Sequence, residues 1–403
     1  MYNPYTSRHF TTYIDPVSQV PIAVLSTRGA QIQQNLYYIS NPWSADGRYF
    51  WFKCAHPSTP GHTMAVIDFL TDEVHYFFEA GANGAVDPRS GELYYGTTLG
   101  IFRRTPNPAD KPVRIAILPE VCRKASVTWA GTHLTFTPDY RELLADIQTP
   151  LGSFIGTFDI STGAFSEWYR TDKLFYNHAQ MNPVDGDLCM CAHDYKYAPE
   201  AGRAFAPALE DGIYPRMNII TRDGRRTVLP PIFNWAMHEW WAPDGKSVYY
   251  CSNRWRSGDH FSAPEENDEL IAIVGQNFLD DREPQTVCTV PIPGNGIGTW
   301  HAHCSRDERY FVIDSTYPDG KLTSWRGCET MLHIYDRKTD KLFRFLTKNP
   351  VVEWWTPADP CPYHIDPHPR FDLNDTLISF TTTVRGRVDV GMVATEYLLP
   401  HLN

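Results

Sequence analysis

The sequence predicts an all-β fold, a seven-bladed β-propeller closed by an N-terminal strand, and three observations lead there. A turn-plus-strand pattern recurs seven times along the 403 residues. Helix-period patterns are scarce, and 32 Pro and 26 Gly would interrupt long helices. The seventh copy lies close to the C-terminus and is short of a last strand, which an apolar run near the N-terminus can supply.

The recurring unit is a turn containing Asp, Asn or Gly, then a short aromatic and β-branched run, then a second run ending at a turn. The copies centre on Asp46-Gly47, Asp87-Pro88, Asp139-Tyr140, Asp185-Gly186, Asp244-Gly245, Asp307-Glu308 and Asn374-Asp375. Asp-Gly supplies the positive φ that tight hairpins need. The spacing, about 40 to 70 residues, is that of a propeller blade plus insertions. The seventh unit ends at Val388-Asp389-Val390-Gly391-Met392-Val393. Pro21-Ile22-Ala23-Val24-Leu25 is the candidate closing strand, and closure removes exposed sheet edges. Two stacked β-sandwiches are the competing architecture, but no linker-like stretch separates two halves. The expectation is one domain over residues 1–403.

Composition narrows the function. The net charge is -11 with no Lys/Arg run, which argues against nucleic acid and anionic membranes as partners. No apolar stretch reaches membrane-spanning length, and the first residues lack the basic and apolar regions of a signal peptide. The nine Cys have neither metal-finger spacing nor a disulfide framework, so reduced thiols and a cytoplasmic location are expected. The 12 Trp and 22 Tyr fit stacking surfaces for sugars and equally a β-rich core.

The chemistry lies in the histidines. His178, His238, His301 and His368 fall six or seven residues before the Asp of four consecutive turns. Equivalent positions in successive blades would bring them around one funnel. His364, Asp366 and His368 alternate along an extended Pro-rich segment and so share a face. Imidazole with carboxylate suits a divalent transition metal, which makes His301, His364, Asp366 and His368 candidate ligands. His238 sits in the apolar run Trp235-Ala236-Met237-His238-Glu239-Trp240-Trp241, where a neutral imidazole could act as a base. Arg216 precedes a strand-like run; its planar fork suits a substrate carboxylate or a structural ion pair.

On these segments the chain resembles the oligogalacturonate lyases, a family of seven-bladed propellers. Met237-His238-Glu239-Trp240-Trp241-Ala242-Pro243-Asp244-Gly245 is similar to that family's Thr-His-Glu-Phe-Trp-x-Pro-Asp-Gly stretch. Asn177 to Pro183, Pro215 to Gly224, His301 to Asp307 and Asp366 to Phe371 resemble four more of its motifs. Two positions depart: Asp366 stands where the family has a His, and Tyr363 where it has a Gln ligand. The resemblance implies His238 as general base, Arg216 as its partner at the substrate, and His178 as a substrate contact. It also implies a divalent cation, usually Mn2+, held by His301, Asp366 and His368, with His364 as a candidate fourth ligand. The substrate would be a short uronic-acid oligosaccharide cleaved by β-elimination, and the departures point to a uronide other than plain oligogalacturonate. The rival expectations are a non-catalytic TolB-like propeller binding a protein partner and a metal-dependent hydrolase giving saturated products.

Overall fold

The computed structural model describes all residues except 1, 57–60, 82–83, 173, 199–201, 206–215, 230–235, 253–271, 279–282, 291–298, 317–328 and 351–364. For 174–175, 194–198, 202–205, 252, 272, 299–300 and 316 it describes the backbone alone. The chain is a seven-bladed β-propeller of seven antiparallel sheets, four or five strands each. Its contacts gather into two compact units. One comprises Met1–Ala82, Asn253–Val274 and Thr286–Asn403, the other Asn83–Ser252 and Gly275–Gln285.

One hydrogen bond recurs in every sheet and marks the repeat. The amide of the first turn residue donates to the carbonyl where the second strand begins. This joins Ser44 to Tyr49, Asp87 to Glu92, Thr137 to Glu142, Asn182 to Leu188, Ala242 to Ser247, Ser305 to Tyr310 and Asp372 to Leu377. The turn Asp fixes the bend by accepting from a nearby hydroxyl, as Asp139 does from Thr137 (2.7 Å) and Asp307 from Ser305 (2.6 Å).

The N-terminal closure expected from the sequence is present. Pro21–Leu25 pairs antiparallel with Asp389–Ala394, Ala23 opposite Met392 and Val24 opposite Gly391. This strand has no polar face because both its sides are covered. Ile22 and Val24 pack with Val312, Ile334, Phe345 and Phe380. Ala23 and Leu25 pack with Phe50, Phe52, Ile67 and Val390. A strand the sequence reading missed, Phe10–Ile14, then pairs with Pro21–Leu25 and makes this sheet five-stranded.

In the other unit, Leu143, Ala145, Ile147 and Phe158 pack on Tyr94 and Ile101, while Leu144 and Ile155 pack on Tyr176, Cys189 and Cys191. Among the described residues, no helix is long and apolar enough to cross a membrane, and the described cysteines are buried free thiols.

Candidate active site and metal centre

The four histidines share one repeat register, as their spacing predicts. Each lies four residues before the first turn residue of its sheet: His178 before Asn182, His238 before Ala242, His301 before Ser305 and His368 before Asp372. Each also falls where the first strand loses register with the second. The pairing skips from Asn177 to Gln180, from Met237 to Trp240 and from Thr299 to Ala302. In the last sheet Thr381 donates to Pro367 while Arg370 pairs with Ser379, leaving His368 and Pro369 outside the ladder. Such bulges re-aim side chains and are common beside active sites.

The equivalence has one exception. His178, His238 and His368 have φ of 52°, 53° and 47°, a left-handed conformation that costs a non-glycine residue about 1–2 kcal/mol. His301 does not have a positive φ. Its bulge spans 300–301, so it occupies the second bulged position rather than the first. There its amide donates to Asp314 Oδ1 (2.7 Å) and its Nδ1 meets Asp314 Oδ2 (2.9 Å).

In the unit holding His301 and His368, three sequence candidates come together. His301, Asp366 and His368 are buried, and one ligand atom from each lies within 4.8 Å of the others. His368 Nε2 is 3.7 Å from Asp366 Oδ2, and the two imidazole centroids are 4.3 Å apart. Metal bonds of about 2.0–2.2 Å could span this set after small adjustments. Asp314 behind His301 is the carboxylate–histidine arrangement that orients a ligand and leaves Nε2 for the metal. Two imidazoles and a carboxylate, all buried, therefore fit a divalent transition metal. His364 and Tyr363 lie outside the described residues.

The surroundings of this cluster were not read from the sequence. Tyr37 lies 4.8 Å from the His368 ring and 5.8 Å from the His301 ring, and Tyr38 lies 5.4 Å from His301, centroid to centroid. Their segment is tied down by Asn35, which donates to the carbonyls of His368 (2.9 Å) and Ser379 (3.1 Å), and by Arg370, which donates to the Tyr38 carbonyl (2.5 Å). Burial pushes the Lys53 ammonium down to about 8, with the Asp366 charge acting the other way. Burial and the neighbouring Arg370 hold His303 neutral, well below the usual histidine range.

Asp314 yields a prediction. In Asp314→Asn the hydrogen bond to His301 loses its charge. Metal affinity, read by titration calorimetry, is expected to fall about 10–100-fold with the fold retained.

In the other unit the centre is Glu239, which the sequence reading passed over. It is fully buried, in the strand Met237–Trp241 directly after His238. Arg216 Nε donates to Glu239 Oε2 (2.9 Å), and His178 Nδ1 lies 3.7 Å from Glu239 Oε1. Burial works against ionisation of Glu239, but the Arg216 guanidinium and then His178 outweigh it and hold the carboxyl at about 2. The Gln180 amide donates to the Glu239 carbonyl (2.9 Å), and the indole of Trp241 donates to the Gln180 carbonyl (3.1 Å). Arg216 is fixed from its backbone too, its carbonyl accepting from the His193 amide (2.7 Å) and the Asn218 side chain (2.9 Å). His133 packs on His178, ring centroids 5.2 Å apart. Nearby, burial pushes Asp146 up to about 6, against bonds from Thr132 and the charge of His178. The signal for Glu239 was present: an acidic residue inside an apolar strand is buried only when paired. Arg216 thus makes an ion pair through Nε, one of its two sequence readings, and the substrate role is a separate proposal.

Solved structures carry the same architecture. An oligogalacturonate lyase from Vibrio parahaemolyticus superposes with a TM-score of 0.69 at 16% identity, over 96% of each chain. An oligogalacturonate lyase in complex with manganese superposes with a TM-score of 0.70, also at 16% identity and over 96% of each chain. A hydrazine synthase from Kuenenia stuttgartiensis gives 0.54 at 12% identity, over 90% of this chain and 98% of that one. No protein-family model matches the sequence, and no curated protein matches it significantly. At these identities the likeness establishes the fold.

Proposed function

We propose that the chain is a divergent oligogalacturonate lyase, a cytoplasmic enzyme cleaving short uronic-acid oligosaccharides by metal-assisted β-elimination to a 4,5-unsaturated uronide. The observation that carries this reading is the buried set His301, Asp366 and His368, backed by Asp314. It lies on a fold shared over 96% of the chain with a manganese-bound oligogalacturonate lyase. The buried free thiols fit a reducing compartment.

The reaction removes the proton at C5 of a 4-linked uronide. That proton is poorly acidic, because its loss builds negative charge onto the adjacent carboxylate. A divalent cation, Mn2+ by analogy, held by His301, Asp366 and His368 with His364 as a fourth donor, would supply charge neutralisation there. By the family resemblance, Arg216 is assigned to a substrate carboxylate through its remaining guanidinium N–H groups, and His178 to the sugar. The imidazole of His238 takes the C5 proton. The C5–H electron pair becomes the C4–C5 double bond, and the C4–O bond breaks with its electrons leaving on oxygen, which takes a proton from water.

Asp366 in place of the family's histidine favours a uronide other than plain oligogalacturonate. The test is a panel of short galacturonate, glucuronate, mannuronate and rhamnose-uronate oligomers with Mn2+, followed by ultraviolet absorbance. At least one should give the absorbance of a conjugated unsaturated uronide. Cleavage yielding only saturated ends would mean a hydrolase, and no cleavage of any member would leave the lyase reading without support.

A further inference from the structure

The Glu239 carboxylate faces two groups, and both have been given roles toward an anionic sugar. We propose that Glu239 is the positioning residue of this cluster: its carboxylate sets the plane of the Arg216 guanidinium through Nε, with His178 Nδ1 3.7 Å from its other oxygen as a second, electrostatic neighbour. This rests on the reading of Arg216 and His178 as substrate-binding residues.

The geometry is specific. Oε2 takes Arg216, which directly precedes the strand Met217–Thr221, and Oε1 faces His178, in the strand Leu174–Met181. Glu239 is fully buried, away from water. It occupies a bulged position, and its own carbonyl is bonded by Gln180. Taking a carboxylate and a guanidinium out of water is costly, and well-packed apolar residues often serve stability as well or better. What apolar packing cannot provide is a guanidinium held at one angle. Transition-state charge is stabilised by groups already oriented before it forms, and a displacement of about 1 Å can cost 100-fold in rate. The bulge that turns His238 also sets Glu239 in place, so one backbone irregularity positions both the proposed base and the anion behind its partner.

The test uses Glu239→Gln, Arg216→Gln and the double variant of the full chain, assayed on the uronide that wild type cleaves. Glu239→Gln should lose about 100-fold in kcat/KM, with KM raised as well as kcat lowered, whereas a purely structural defect would reduce the active fraction without moving KM. Because Glu239 acts largely through Arg216, the double variant should fall within about threefold of Arg216→Gln alone, by the non-additivity of coupled residues. Wild-type kinetics in Glu239→Gln, or losses that multiply in the double variant, would overturn the proposal. Should Glu239→Gln fail to fold, Glu239→Asp keeps the charge and withdraws it by one methylene. Wild-type KM and kcat in that variant would overturn the proposal just as well.

A second measurement separates this inference from the lyase reading. Hydrogen exchange at the Arg216 Nε–H, followed by NMR and assigned with Arg216→Gln, should be slow in wild type and at least about tenfold faster in Glu239→Gln, as a weakened charge-assisted bond implies. That result in a protein inactive on every uronide would support the positioning role and reject the lyase. Unchanged exchange in Glu239→Gln would reject the positioning role whatever the activity.

Discussion

His238→Asn should lose about 10²–10⁴-fold in kcat for unsaturated-uronide formation while melting near the wild-type temperature, the range that removing a general base produces. The choice of Asn follows from the backbone. His238 has φ 53°, where Asn is among the best-tolerated non-glycine residues and Ala is strained. An alanine variant would confuse lost chemistry with backbone strain. Asn also fills part of the imidazole's buried volume without offering a base. Circular dichroism and a melting curve check the fold, and stopped-flow absorbance checks the rate. Full activity in His238→Asn would reject the base assignment.

If the proposed metal site is right, His368→Asn and His301→Ala should each abolish binding of the divalent cation and reduce the proposed activity by about 10³-fold, equivalent to about 4 kcal/mol of transition-state stabilisation. The two variants differ for the same structural reason: His368 has φ 47° and His301 does not have a positive φ. The expected loss of metal affinity exceeds that of Asp314→Asn, because a ligand itself is removed rather than the group that orients it. Elemental analysis reads the metal and the absorbance assay reads the activity. Chelation of wild type should reproduce the loss, and added Mn2+ should reverse it in wild type but not in the variants. Stoichiometric metal in both variants would show that the cation, if any, sits elsewhere.

Much of this architecture was legible in the sequence because propeller repeats are punctuated by local chemistry. The turn Asp residues located all seven sheets, and counting back from them placed the four histidines at one register. Pro21–Leu25 was legible as the closing strand because a strand buried on both faces is a continuous apolar run. Phe10–Ile14 was not. It is a mostly solvent-facing edge strand with Thr11 and Thr12 exposed, so it carries little hydrophobic pattern. The bulges were also hidden, because a bulge is a difference in count between two paired strands. That is why His301 could be assigned its sheet but not its offset within the bulge. Glu239 and Asp314 acquire meaning only through partners 23 and 13 residues away in the chain. Lys53, Tyr37 and Tyr38 reach the His301 and Asp366 surroundings across more than 200 residues of sequence, as the numbering itself shows. Glu239, Asp314 and Lys53 each had one local trace, a charged residue inside an apolar run, which marks burial with a partner without naming it; Tyr37 and Tyr38 had none.

Elimination and hydrolysis differ in the source of the product's atoms. Wild-type protein loaded with Mn2+ would be incubated with a cleavable uronide oligomer in water enriched in heavy oxygen, and the products weighed by mass spectrometry. Elimination predicts a new non-reducing end lighter by one water and a new reducing end, both formed without solvent oxygen at the moment of cleavage. A product carrying one heavy oxygen at the cleaved bond, with no unsaturated end, would contradict the account.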